Sequence, residues 1–181
     1  MVSWARVARR IRVPLGFAFA AAYLWLAHPA AKSLLLGTVF IAMGLALRGL
    51  ASGHVQKNEQ LATTGPYAYT RNPLYLGSLI LAIGFVIAAR SLWIALILGI
   101  LFLAIYLPVI RAEEKFLAQR FPEFDSYAGR VPRLFPRMPS AVGNGGKFSW
   151  ALYWKHREYN ATLGSVAIMA ALVAKLARMF R

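Results

Sequence analysis

The chain is 181 residues long, has no cysteine, and is 59% hydrophobic with only 15% charged residues, yet its formal net charge is +15. Its apolar residues come in runs too long and too uncharged for the core helices of a soluble domain, so a soluble all-helical protein is disfavoured. The missing cysteines exclude disulfides, thiolate metal sites and a cysteine nucleophile. The basic residues flank apolar runs instead of forming a stripe on a polar domain, which points to lipid headgroups and away from nucleic acid.

In chain order, a basic N-terminal anchor, MVSWARVARRIRVP, leads into a first apolar run from Val13 to Ala27. It lacks a small-residue cleavage site and so does not read as a removable signal peptide. Further runs lie over Ser33 to Leu47, Leu74 to Ala89 and Leu92 to Ile110, and a fifth over residues 161–177. Several fall short of the roughly 20 residues of a straight span, so interfacial residues must complete them. The links HPAAK and RS are short enough to make two helical hairpins. The expected fold is therefore an all-α integral membrane bundle of about five helices: two hairpins plus a C-terminal helix, with a polar pocket on the cytoplasmic side.

Charge orients this arrangement. Arg6, Arg9, Arg10, Arg12, Arg48, Lys57, Arg71 and the nine basic residues from Arg111 to Arg157 fall on one side, against Lys32 and Arg90 on the other. The N-terminus and the polar segments should then be cytoplasmic in a multi-pass protein. A spanning fifth run would put Lys175, Arg178 and Arg181 outside, against the rule, so that run either spans, lies in the interface or packs as a half-span. No period of 20–50 residues repeats. The stretch VPRLFPRMPSAVGNGG is the natural linker, dividing a core over residues 1–137 from a linker and C-terminal membrane helix over 138–181.

The polar residues outside the runs gather over Gly53 to Pro73 and over Arg111 to Pro136. A hairpin between them brings both segments to one face. In GPYAYTRNPLYLG, Asn72 before Pro73 reads as the N-cap of the third helix. The free N–H groups of that helix, with Arg71 beside them, form an anion site. Tyr67 and Tyr75 add aromatic faces and hydroxyls, though composition alone allows an ordinary interfacial belt here. In the second segment Glu113 and Glu114 stand where the fourth run ends, a costly place for carboxylates. One should turn into the pocket while the other pairs with Arg111 or Lys115. Anion site, cation site and aromatic surfaces together suit a zwitterionic, partly aromatic cofactor.

The pairing of GPYAYTRNPLYLG with EEKFLAQRFPEFDSYAGRVPRLFP resembles the integral-membrane methyltransferases related to isoprenylcysteine carboxyl methyltransferase and the phospholipid N-methyltransferases. Their pattern is a G-x-Y turn, then R-H-P-x-Y-x-G, and one hairpin later E-E-x-x-L, F-x-x-Y and V-P-x-x-x-P; the motif-bearing part here is 54–136. The resemblance implies S-adenosylmethionine as methyl donor and a lipid or lipidated acceptor from the bilayer; the charge placement and the lack of ligand spacing argue for no nucleic acid and no metal as partner. It also implies a cofactor site lined by Gln56, Tyr67, Asn72, Tyr75, Glu113 and Glu114. The family's usual histidine is Asn72 here, which can position a cofactor by hydrogen bonds but cannot titrate near neutral pH.

The acceptor decides what else is needed. An ionised prenylcysteine-type carboxylate wants a positive clamp, for which Arg71 and Arg133 are candidates; a protonated phospholipid amine or a thiol needs a base such as Glu59, Glu114 or His54. Arg71, Glu114 and Arg133 are thus the expected catalytic residues. His54 and His156 are solitary and read as structural or interfacial, and no metal-ligand spacing occurs. The alternative is a non-catalytic lipid- or partner-binding scaffold that keeps the fold, a reading that Asn72 supports.

Overall fold

A computed structural model of the chain describes residues 19–56, 59–138 and 146–180. The basic anchor, the start of the first run, Lys57 and the glycine-rich end of the linker stretch lie outside the described residues. Among the described residues the chain is all helical, without strands. Helix α1 covers 19–26, α2 Ala31–Ser52 and α3 Pro73–Ala89. A 3-10 turn over Gly65–Ala68 precedes α3. Helix α4 runs over Leu92–Arg120 with a π-helical turn at Phe102–Tyr106. Then come α5 Phe124–Arg130, α6 Trp150–Lys155 and α7 Tyr159–Met179. Helices α2, α4 and α7 are long and apolar enough to cross a membrane, and α3 is a shorter apolar helix.

Helix α4 is longer than its apolar run. The segment AEEKFLAQR is rich in good helix formers, so the helix continues to Arg120 and ends at Phe121, the residue before Pro122. Glu113 and Glu114 therefore lie inside a helix and not at its C-terminus. The dipole penalty expected for them does not apply, because it fades beyond the last turn.

The tightest packing is between α2 and α3, which run antiparallel. Gly37 and Gly44 on α2 face Gly84 and Gly77 on α3, each pair seven residues apart on its helix. A methyl group on Gly37 would lie 2.7 Å from the Gly84 carbonyl oxygen, and one on Gly44 would lie 2.7 Å from that of Gly77. Small residues let the two backbones approach, which supplies the van der Waals contact that drives helix association in lipid. By contrast, α4 leaves Leu92, Trp93, Leu96, Ile100, Leu103 and Ile105 exposed, an apolar surface suited to lipid.

At one end of the bundle the short links come together. The Tyr23 hydroxyl donates to the Phe85 carbonyl at 2.8 Å, and the His28 N–H to that of Ala89 at 2.7 Å. The fifth run forms the full 21-residue helix α7, which packs along α2 and buries Leu172. Lys175, which the charge rule leaves without explanation, has a local role: its Nζ donates to the carbonyls of Leu24 at 2.6 Å, Trp25 at 3.1 Å and Ala27 at 2.7 Å. It closes the C-terminal end of α1, a favourable place for a cation.

Candidate functional site

At the opposite end, the C-terminus of α2, the connection up to Asn72, the start of α3 and the last turns of α4 meet α5 and residues 131–137. They enclose a cavity of about 320 Å³, near the lower bound of roughly 300 to 1,000 Å³ for small-molecule sites. Gly65 has the left-handed φ of 57°, and a Cβ there would meet the His54 imidazole at 2.6 Å. Glycine adopts this turn without strain, and the turn buries Tyr67 at the cavity wall. The first residues of the proline-rich stretch are docked here. Arg71 N–H donates to the Pro132 carbonyl at 2.9 Å, Arg137 N–H to that of Tyr69 at 3.0 Å, and the Thr70 hydroxyl to that of Leu134 at 3.0 Å.

Of the two adjacent glutamates, Glu114 is the buried one, at 8% exposure. The other glutamate, Glu113, expected to pair with Arg111 or Lys115, instead also lines the cavity and accepts the Tyr75 hydroxyl. Arg133 Nε donates to Glu114 Oε2 at 2.8 Å, and its Nη2 lies 2.8 Å from the same oxygen. Arg71 Nε lies 3.3 Å from Oε1, and Asn72 Nδ2 donates to the same oxygen at 3.1 Å. Asn72 Nδ2 also donates to the Arg133 carbonyl at 2.9 Å. Asn72 thus occupies the N-cap position of α3, but its side chain makes no cap bond. The buried carboxylate offers its amide a charge-assisted bond, which is stronger than a bond between neutral groups.

Two guanidiniums around one carboxylate leave the cluster with one positive charge in excess. Arg71 lines the cavity, and its Nε is buried without a well-aligned acceptor among the described residues. The surplus positive charge at the cavity would favour an anion there. Asn72, Leu74 and Tyr75 at the start of α3 line the same cavity. Glu113, exposed in the cavity lining, accepts the Tyr75 hydroxyl at 2.8 Å. The lining therefore carries groups of both charge signs together with the aromatic side chains of Tyr67, Phe116 and Phe124. Burial pushes the Tyr67 hydroxyl well above the usual tyrosine range, with Glu113 adding to the shift. Burial raises Tyr127 likewise, opposed by Arg71. Tyr127 keeps its proton and donates it to the Tyr67 carbonyl at 2.7 Å.

All six expected cofactor residues, Gln56, Tyr67, Asn72, Tyr75, Glu113 and Glu114, line this cavity, and so does Arg71. Arg133 stands behind Glu114, with about half of its side chain exposed. Glu59 is on the surface, 3.6 Å from Lys155. His54 Nδ1 donates to the Leu50 carbonyl at 2.8 Å and His156 Nδ1 to that of Ser52 at 3.1 Å, both at the end of α2. Sequence reasoning missed Arg48 and Glu158, which also line the cavity. Arg48 donates from Nε and Nη2 to Glu158 at 2.9 to 3.0 Å, and from Nη1 to the Ser78 hydroxyl. Among the described residues no group of three or more His, Asp or Glu side chains is gathered as a metal site would need.

Helices long and apolar enough to cross a membrane, with a polar cavity at one end, define a membrane-type helical protein. The chain belongs to the phospholipid methyltransferase family, whose model matches residues 29–123, just over half of the chain. It is similar to the nickel-cobalt-cadmium resistance protein NccN of Alcaligenes xylosoxydans xylosoxydans, 42% identical over 83 residues that cover 46% of this chain and 39% of that protein. It is also similar to the cobalt-zinc-cadmium resistance protein CzcN of Cupriavidus metallidurans, 43% identical over 83 residues, 46% of this chain and 38% of that protein. The matched stretch thus spans about two fifths of the length of these curated relatives. No solved structure matches the chain.

Proposed function

We propose that the chain is an S-adenosylmethionine-dependent methyltransferase of the membrane, with the donor in the polar cavity and a lipophilic acceptor entering from the bilayer. The observation that carries this reading is a polar cavity lined by both Arg71 and Glu113, with aromatic side chains beside them, in a member of a methyltransferase family. Arg71 and the start of α3 suit the carboxylate of the donor's amino-acid part, Glu113 its ammonium group, and the aromatic side chains its adenine. When bound, the donor supplies an electrophilic methyl group on a sulfonium.

The rest of the catalytic work falls to the chain's own residues, which align the reactants and exclude water. Both oxygens of Glu114 are engaged by Arg71, Asn72 and Arg133, so Glu114 serves best as a positioning residue that holds Arg71 at the cavity. Arg133 supports it from behind. Residues 1–137 form the catalytic unit in this reading, and 138–181 add the C-terminal helix. The N-terminus and the cavity face the cytoplasm, as the distribution of basic residues favours.

Calorimetric titration of purified protein with S-adenosylhomocysteine tests the reading. Saturable binding is expected, weakened by Arg71→Gln and by Glu113→Gln. A well-folded protein that does not bind would leave the non-catalytic scaffold, which Asn72 in place of the family histidine also supports. Orientation is tested separately. The native chain has no cysteine, so a Glu59→Cys variant should react with an impermeant thiol reagent only from the cytoplasmic side.

A further inference from the structure

A second cavity, of about 400 Å³, lies further along the helices and is mainly apolar, walled by Phe19, Tyr23, Leu81, Phe85 and Ile168 among others. It meets the polar cavity at a shared wall of Arg48, Ser78 and Tyr106. Arg48 is the one charged side chain among the described residues that line the apolar cavity. One face of the cavity, from Asn160 to Ile168, comes from α7, beyond the family-matched residues.

An apolar chamber with a single guanidinium at its junction with a polar site has the chemistry of a receptor for an amphiphile. The tail loses water in the chamber, and an anionic head meets a planar fork of donors suited to carboxylate or phosphate. That fork is now held bidentately by Glu158, an internal carboxylate in the place of a ligand's anion. We propose that the apolar cavity receives the hydrocarbon tail of a single-chain, anionic-headed lipid, that Arg48 is the specificity-determining receptor for its head, and that Glu158 is the competitor the head must displace. The pair is then a latch between the two cavities, supplied by the C-terminal helix. That this lipid is the methyl acceptor rests on the methyltransferase reading; the latch itself does not.

The test is displacement of a fluorescent fatty-acid probe, dansylundecanoate, from protein in neutral detergent, by dodecanoate, dodecyl phosphate and dodecanol. In the wild type both anionic competitors should outcompete dodecanol. Glu158→Gln should tighten the anionic competitors by roughly tenfold, the scale of one charge-assisted contact. Arg48→Gln should weaken them by a similar factor, and dodecanol should respond to neither. Preference for the carboxylate would identify a carboxylated lipid, and preference for the phosphate a phosphate-bearing headgroup; either supports the proposal.

Gly164→Leu serves as a variant that leaves the ion pair intact. Gly164 stands at the cavity rim, and a Cβ there meets nothing within 4 Å. It should weaken every competitor alike by blocking the tail. The proposal is overturned if the two charge variants leave anion binding unchanged, or if dodecanol shows the same pattern. Charge-selective binding in a protein that ignores S-adenosylhomocysteine would support the latch and sink methyl transfer alone.

Discussion

Two ion clusters stand at the polar end of the bundle, one around a buried carboxylate and one partly exposed, and they are built to different plans. Around Glu114, one carboxylate meets two guanidiniums and an amide, all within residues 71–133, and a positive charge is left over beside the cavity. Between Arg48 and Glu158, one carboxylate meets one guanidinium across 110 residues of sequence, and the charges cancel. The first cluster is complete as a scaffold and still attractive to an anion. The second is neutral and has to open before it can hold one. A surplus of charge and a balance of charge thus suit a standing receptor and a latch, respectively.

The comparison breaks most visibly at Glu114. Glu114→Ala leaves Arg71 buried without its counter-charge, and should cost about 3–5 kcal/mol of stability in detergent, as breaking one partner of a buried pair does. Denaturation measured with and without S-adenosylhomocysteine would show this, and near-wild-type stability would remove Glu114 as the anchor. Next comes the seam on which both clusters are mounted. Gly44→Leu forces apart backbones that a methyl group already crowds, and about 1–3 kcal/mol of destabilisation is expected. Gly99→Leu, on the open face of α4 with nothing within 4 Å, is the matched control and should leave the melting temperature unchanged.

Arg48→Met should cost less than Glu114→Ala. Arg48 and Glu158 keep 24% and 12% of their side-chain exposure, so solvent screening reduces the loss to about 1 kcal/mol. Thermal unfolding that is equally sensitive at both sites would erase the distinction between scaffold and latch. The smallest effect is at Tyr127→Phe, which removes the bond to the Tyr67 carbonyl for about 1 kcal/mol or less. Because burial raises this hydroxyl above its unfolded value, its contribution is fully present below about pH 10 and is lost as pH rises further. Stability profiles of wild type and variant should therefore run parallel through neutral pH and converge only in strong alkali.

The first cluster was legible in the sequence because its members stand in two compact motifs. The turn chemistry of TRNP, the hairpin spacing and the Glu pair predict a shared pocket without any knowledge of packing. The choice of partner for each side chain could not be read. Asn72 looks like a cap, but the buried carboxylate that α4 brings to it is the better acceptor. Arg111 and Lys115 look like partners for the glutamates because they are near in sequence, but α4 continues as a helix and turns Glu114 toward Arg71. The second cluster had no local signal. Arg48 reads as one more flanking cation and Glu158 as one more surface acid, until α7 folds back along α2. Lys175 was similarly opaque, since only the meeting of two helix ends gives it carbonyls to bind.

The π-helical turn at Phe102–Tyr106 fixes how α4 counts its residues. Such a turn takes up one more residue than the regular spiral without rotating the helix beyond it, and it breaks the single azimuth that a 29-residue helix would otherwise keep from end to end. Tyr106, stacked on Phe102 with ring centroids 5.1 Å apart and edge-on to Tyr75 at 5.7 Å, marks the place where the excess is absorbed, at the wall the two cavities share. Length can therefore vary at that turn while both glutamates keep their bearing. A residue lost between it and Glu113 would instead swing them by about 100°, carrying Glu114 away from its guanidiniums while the membrane half of the helix stayed in register.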